Sequence, residues 1–171
     1  MHNHPSAAEV IELLDLQPLE GEGGYFRHTH VVPDPDASGS GSPATTAIVF
    51  LVTPGSWSGL HRLETDELFH FYLGDRCQMV VCSPDGTIEE RCLGTDLRAG
   101  CQIQALVPGG CWQGTMLAPG GDHGYALLGT TMTPGFRRDQ FTLATEADLE
   151  AMDASVARRL RPFLAANQDT E

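Results

Sequence analysis

Lysine is absent from this chain. All ten basic residues are arginine, and against 23 acidic residues they leave a formal charge of -13. Without a lysine, neither Schiff-base chemistry nor a phosphate-binding P-loop is open to the protein. A surface this acidic repels phosphate backbones and anionic lipid headgroups, so no nucleic acid and no membrane is expected as a partner. Long apolar runs are missing too, and none approaches the roughly 20 residues of a membrane-spanning helix. The opening MHNHPSAAEVIELLDLQ has neither the basic start nor the apolar middle of a secretory signal, which makes the cytoplasm the expected compartment. No CxxC pair occurs among Cys77, Cys82, Cys92, Cys101 and Cys111, which excludes zinc-ribbon and thioredoxin-like motifs. With export not expected, all five are expected as reduced thiols that behave as small buried hydrophobes on strands. A G-x-S-x-G elbow and a Ser-His-Asp arrangement are also lacking, so a hydrolase triad has no support.

What is present reads as one β-rich domain. A chain of 171 residues, 41% apolar with 19 glycines and 11 prolines, can bury one real core and has many turns. Ser6 and Glu9 have capping-box spacing ahead of Val10, Ile11, Leu13 and Leu14, which predicts a short helix over 7–15. Pro18 and the glycines of EGEGGYF end it, and a strand follows from Tyr25 to Val32. Residues 33–44, rich in proline, glycine, serine and aspartate, read as an exposed loop. From about 45 to 143 short β-type runs such as TAIVFLVT, FHFYLG and CQMVVCS alternate with Gly/Pro turns, the pattern of a sandwich or barrel. Thr145 then caps a last helix over 145–165, with Leu149, Met152, Val156 and Leu160 on one face and Pro162 near its end.

Chemistry-bearing residues concentrate in GSWSGLHRLETDELFHFYLG, residues 55–74. Read as strand, turn and strand, period 2 puts His61 and Leu63 on one face, and Glu67, Phe69 and Phe71 on one face of the next. If both faces point into a barrel, His61 and Glu67 converge. An imidazole and a carboxylate suit a divalent transition metal and suit acid/base work equally well. Alternation turns His70 away from the pocket, into the barrel wall or a dimer interface. Arg62 also alternates outward, toward an ion pair with Glu64 or Asp66, while Arg27 and Arg62 are the arginines weighed for holding an anion. His28 and His30 form a same-face pair on the early strand. Tyr25 is a candidate acid or donor at a pocket mouth, and Trp57, Trp112 and Phe136 are candidates for an apolar lining.

The spacing Gly55, His61, Leu63, Glu67, Gly74 resembles the first cupin motif, and Gly100 through Pro108, Gly110 and Gln113 resembles the second. The blocks EGGYFR, TAIVFL, HRLETDELFHFYLGD, LGTDLRAG, VPGGCWQG and TPGFRRDQF are similar, in order, to those of the DUF985 or "cupin 5" family, whose fold is RmlC-like. The resemblance implies an all-β fold, a double-stranded β-helix or cupin jelly-roll barrel, paired as a homodimer around a small-molecule pocket. Two of the family's usual histidine ligands are Leu63 and Gln113 here. A divalent transition metal (Zn, Fe, Ni or Mn) would therefore rest on His61, Glu67 and Gln113. Two functions follow from the resemblance. One is an isomerase, epimerase or lyase of a small polar, sugar-like or carbonyl-bearing metabolite, with His61, Glu67 and Tyr25 catalytic and Gln113, Trp112, Phe69, Phe71, Trp57 and Phe136 binding. The other is a module that binds or senses such a metabolite without chemistry.

Overall fold

The computed structural model describes residues 4–34 and 43–165. Helix α1 (Ala7–Leu13) begins at the capping box: Glu9 N–H donates to Ser6 Oγ, while the Glu9 carboxylate accepts from the Ser6 N–H. The strands are β1 (Gln17–Pro18), β2 (Tyr25–Pro33), β3 (Pro43–Val52), β4 (Ser58–Leu63), β5 (Glu67–Gly74), β6 (Cys77–Cys82), β7 (Ile88–Leu93), β8 (Gln104–Val107), β9 (Trp112–Leu117), β10 (Ala126–Met132) and β11 (Phe141–Leu143). They form two antiparallel sheets, a six-stranded one in the order β1-β2-β3-β10-β5-β8 and a five-stranded one in the order β11-β4-β9-β6-β7. This is the double-stranded β-helix expected of the chain. Strand β2 is an integral member of the larger sheet, so the barrel starts well before residue 45. Most of the 33–44 loop lies outside the described residues.

Strands β4 and β5 are not hairpin partners. β4 pairs with β9 and β11, β5 pairs with β10 and β8, and the turn at Glu64–Asp66 carries the chain from one sheet to the other. The two strands therefore present their inward residues to each other across the barrel. Phe50, Val52, Phe69, Phe71, Met79 and Leu128 fill the space between the sheets.

The C-terminal segment differs from the single helix expected over 145–165. It forms α2 (Glu146–Glu150), α3 (Ala154–Leu160) and a 3-10 turn at Arg161–Phe163. The break comes at Asp153, whose carboxylate accepts from the Ser155 N–H and hydroxyl and so caps a second helix instead of continuing the first. Helices this short do not persist alone. Leu149 and Leu160, both fully buried, dock them with Phe163 on the outer face of the smaller sheet against Leu60, Val80 and Trp112. Burial of each leucine is worth roughly 1.5–3 kcal/mol.

The expectation of five reduced cysteines is corrected for two. Cys92 and Cys101 form a disulfide, because an Asp96-capped 3-10 turn and the left-handed Gly100 fold the chain back until the two Cα atoms are 4.5 Å apart. Cys77, Cys82 and Cys111 are free and buried, and burial, with Asp75 nearby, pushes the Cys77 thiol up to about 12. No helix among the described residues is long and apolar enough to cross a membrane.

Candidate acid-base site

A cavity of about 160 Å3 opens between the sheets at one end of the barrel. Phe26, Ile48, Phe50, Phe69, Met132 and Phe136 give it an apolar wall, and Glu22, His61 and Glu67 also line it. His61 and Glu67 reach it from opposite sheets, as the strand alternation requires. Both are nearly fully buried, at 2% and 7% exposure.

Glu22 is delivered by the glycine-rich loop. A Cβ on Gly23 would lie 2.3 Å from the Trp57 carbonyl oxygen, and Gly23 has a φ of +102°, so only glycine fits this approach. The Gly24 N–H donates to Ser56 Oγ at 2.8 Å, and the Gly59 N–H donates to the Glu22 carbonyl at 2.9 Å. Together these lay Glu22 across the end of β4. Its carboxylate accepts from the Ser58 hydroxyl at 2.7 Å.

The imidazole is held on three sides. Nδ1 lies 2.8 Å from the Gly59 carbonyl, which can only accept, so Nδ1 carries a proton and donates it. The Glu22 carboxylate is 3.6 Å from the same nitrogen. Nε2 faces Glu67 Oε2 at 3.8 Å, too long for a hydrogen bond but close for opposite charges. The Phe141 ring stacks on the imidazole, with centroids 5.3 Å apart. Burial alone works against a charged imidazole; the carboxylates of Glu22 and Glu67 and the Gly59 carbonyl outweigh it and raise His61 to about 9. His61 is thus an imidazolium at neutral pH, and Nε2 is the nitrogen that titrates. Burial pushes Glu22 upward, opposed chiefly by the His61 charge.

Gln113 stands behind Glu67. Its Nε2 donates to Glu67 Oε2 at 2.8 Å, while its Oε1 is buried without a partner among the described residues. The other expected residues are distributed by alternation. Phe69 and Phe136 line the cavity, and Thr46 Oγ1 fixes the Phe136 turn by accepting its N–H at 2.9 Å. Phe71 packs into the core instead of the cavity wall. Trp112, next to Gln113, points out of the barrel, under the Arg62 guanidinium and among the C-terminal helices. Arg62 therefore stacks 4.7 Å above an indole where an ion pair with Glu64 or Asp66 was expected. Tyr25 and Trp57 line a separate cleft beside the glycine loop, because Phe26 and His28 take the inward places of β2. A bulge between His28 and His30 breaks their expected same-face pairing: His28 lines the cavity, while His30 pairs with the outward Ala47. His70 lies in the outer wall, bonded to Gln104 and Thr131. Arg27 donates to the Leu14 carbonyl at the end of α1.

Sequence reading missed Glu22, Phe141 and Arg138. The only signal for Glu22 was an acid set among glycines in EGEGGYF, which reads first as a helix terminator.

The donor set does not fit a cupin-type metal. Leu63 and Gln113 stand in two ligand places, Gln113 turns its amide nitrogen toward Glu67, and both His61 nitrogens face carboxylate or carbonyl oxygens. Among the described residues no three His, Cys, Asp or Glu side chains are arranged to hold an ion.

Comparison with known proteins agrees with this fold. The family described as Cupin superfamily (DUF985) matches residues 8–144. A hypothetical protein from Leishmania major has a similar structure, with TM-score 0.85, 28% identity and coverage of 94% of this chain and 99% of that one. A Shewanella oneidensis protein gives TM-score 0.84, 30% identity and coverage of 94% and 98%. An uncharacterized Saccharomyces cerevisiae protein is 30% identical over 141 residues, covering 74% of this chain and 70% of that one. More remotely, the fold is shared with Bacillus subtilis oxalate decarboxylase, described with Mn(II) centres, at TM-score 0.53 and 16% identity over 87% of this chain and 35% of that one.

Proposed function

The chain belongs to the DUF985 family of the cupin superfamily, and from that premise we propose that it is an acid/base enzyme, an isomerase, epimerase or lyase of a small carbonyl compound. The observation that carries this reading is His61, charged and buried with its Nε2 turned to Glu67 inside a ligand-sized cavity. Glu67 takes the proton from a carbon next to the carbonyl. That C–H electron pair becomes the new C=C bond as the carbonyl π pair moves onto oxygen, and His61 gives the Nε2 proton to that oxygen. Return of the proton to another carbon or face yields an isomer or epimer. Alternatively the enol proton returns to His61, the carbonyl re-forms, and the C=C pair shifts to expel a β-group with its bonding electrons. That group takes the proton held by Glu67, leaving an α,β-unsaturated carbonyl. Gln113 orients Glu67 through their hydrogen bond. No step passes through a metal, and Tyr25 has no part. The mainly apolar wall favours a substrate with an apolar body and few polar groups over a polyhydroxylated sugar.

A second reading, a non-catalytic binding module, is favoured by the 3.8 Å gap between His61 Nε2 and Glu67 Oε2. Solvent deuterium incorporation into a panel of small ketones, aldehydes and 2-oxo acids separates the two. The enzyme reading expects exchange that Glu67→Gln abolishes; ligand binding without exchange in the wild-type protein supports the binding module instead.

We also propose a homodimer built on the outer face of the larger sheet. Leu68 and Leu106 are opposed there in adjacent strands, and Tyr72 continues the same face, with Tyr72 and Leu106 each 49% exposed.

A further inference from the structure

Arg138 has no role in the proton chemistry, yet among the described residues it supplies the one guanidinium in the cavity lining. Its neighbour Arg137 is spent on Asp139, with Nη2 to Oδ2 at 2.5 Å. No salt bridge among the described residues involves Arg138, although its charge reaches Glu22 and helps to keep that carboxylate ionised. Its guanidinium carbon instead lies 5.0 Å above the centre of the Phe141 ring. That same ring stacks on His61 at 5.3 Å. Guanidinium and imidazole are thus held on one aromatic side chain, at most about 10 Å apart by the combined length of the two contacts. Both groups also line the same cavity, so a molecule a few carbons long can reach both from within it.

The charges of the cavity are unequal along that span. Glu22 and Glu67 flank His61 and repel an anionic group there, whereas Arg138 offers a planar fork of donors that matches two oxygens at once. Resting on the acid/base reading of this cavity, we propose that Arg138 is its anion-recognition residue and that the substrate is a small carboxylate. The acid group lies on Arg138, the apolar body runs along the phenylalanine wall, and the carbonyl end meets the acid/base pair from the cavity side, its oxygen at His61 and its adjacent C–H at Glu67. A cavity of about 160 Å3 is close to the roughly 150 Å3 that accommodates a benzene ring, which suits a short-chain or aryl acid and is too small for a nucleotide. Glu20 also lines the cavity and opposes an anion, so the comparison of an acid with its uncharged analogue reads whether Arg138 outweighs it.

Calorimetric titration of the full chain with 5-oxohexanoate and 3-phenylpropanoate, each against its primary amide, tests the assignment. At least one acid should bind about tenfold or more tighter than its amide, the scale of a charged hydrogen-bonded contact. Arg138→Gln should bring the pair to within about threefold, and Arg138→Lys should keep part of the preference. Arg138 is an exposed rim residue, and circular dichroism of both variants checks that the fold is kept. Equal binding of acid and amide, binding of neither, or a preference that survives Arg138→Gln overturns the proposal. Deuterium exchange at C4 and C6 of 5-oxohexanoate, the carbons next to its ketone, reports separately on the acid/base reading. Acid preference without exchange leaves Arg138 as the anion site and removes the enzyme; exchange without acid preference does the reverse.

Discussion

At the scale of single residues the decisive feature is the protonation of His61. An isolated imidazole titrates near 6.5 and burial lowers it, so an imidazolium stable to about 9 depends on its carboxylate partners. Since the folded value lies above the unfolded one, His61 adds stability that is complete below about pH 6.5 and lost as pH rises through about 9. Glu22, raised by burial, acts in the same direction from the acidic side. NMR titration of the His61 ring should therefore give a midpoint near 9, and Glu22→Gln should lower it by about one unit or more, since the Glu22 charge is the largest influence that raises it. A midpoint unmoved by Glu22→Gln would remove Glu22 from the site. His61, Glu67 and Gln113 were legible in the sequence because each sits in a motif of fixed spacing. Glu22 was not, since its partner lies 39 positions away and only the fold of the glycine loop joins them.

Among the elements, the turn from Pro119 to Gly124 shows how the barrel closes its far end. The Asp75 carboxylate accepts the N–H groups of Asp122, His123 and Gly124 as well as His123 Nδ1. Burial opposes this charge, yet the donors from His123, Gly124 and Asp122 hold the carboxyl below its ordinary range. Gly121 is excluded from bearing a side chain, as its Cβ would meet the Asp75 carboxyl carbon at 2.1 Å. Asp75→Ala should cost about 2–4 kcal/mol in urea unfolding, because it strands several backbone donors at once; a loss under about 0.5 kcal/mol would show that the loop finds other partners. The short helices followed local rules to different degrees. α1 was readable from Ser6 and Glu9, whereas the α2–α3 break was hidden by an apolar periodicity that runs through Asp153 without registering its cap. The bulge in β2 was equally hidden, since an extra residue in a strand leaves no mark on local composition.

For the whole molecule, the proposed pairing through the larger sheet gives a direct measurement. Light scattering should return twice the chain mass, and Leu106→Glu combined with Tyr72→Glu should return the single-chain mass without loss of β-sheet signal; an unchanged mass in the variant would place the contact elsewhere. The sequence by itself determined the fold, because regular Gly/Pro punctuation, period-2 runs and two spaced motifs repeat one instruction at many positions. It also fixed the inward placement of His61 and Glu67, which depends on alternation along strands, while Gln113 came from the resemblance of its segment to the second cupin motif. Tertiary structure decided the rest. Trp112 and Tyr25 fell outside the cavity because the adjacent Gln113 and Phe26 claimed the inward places, Cys92 met Cys101 through a turn, and Glu22, Phe141 and Arg138 gathered at His61 from two separate segments. Those outcomes are set by which strands face each other and which loops fold back over them, contacts between distant positions that no local pattern encodes.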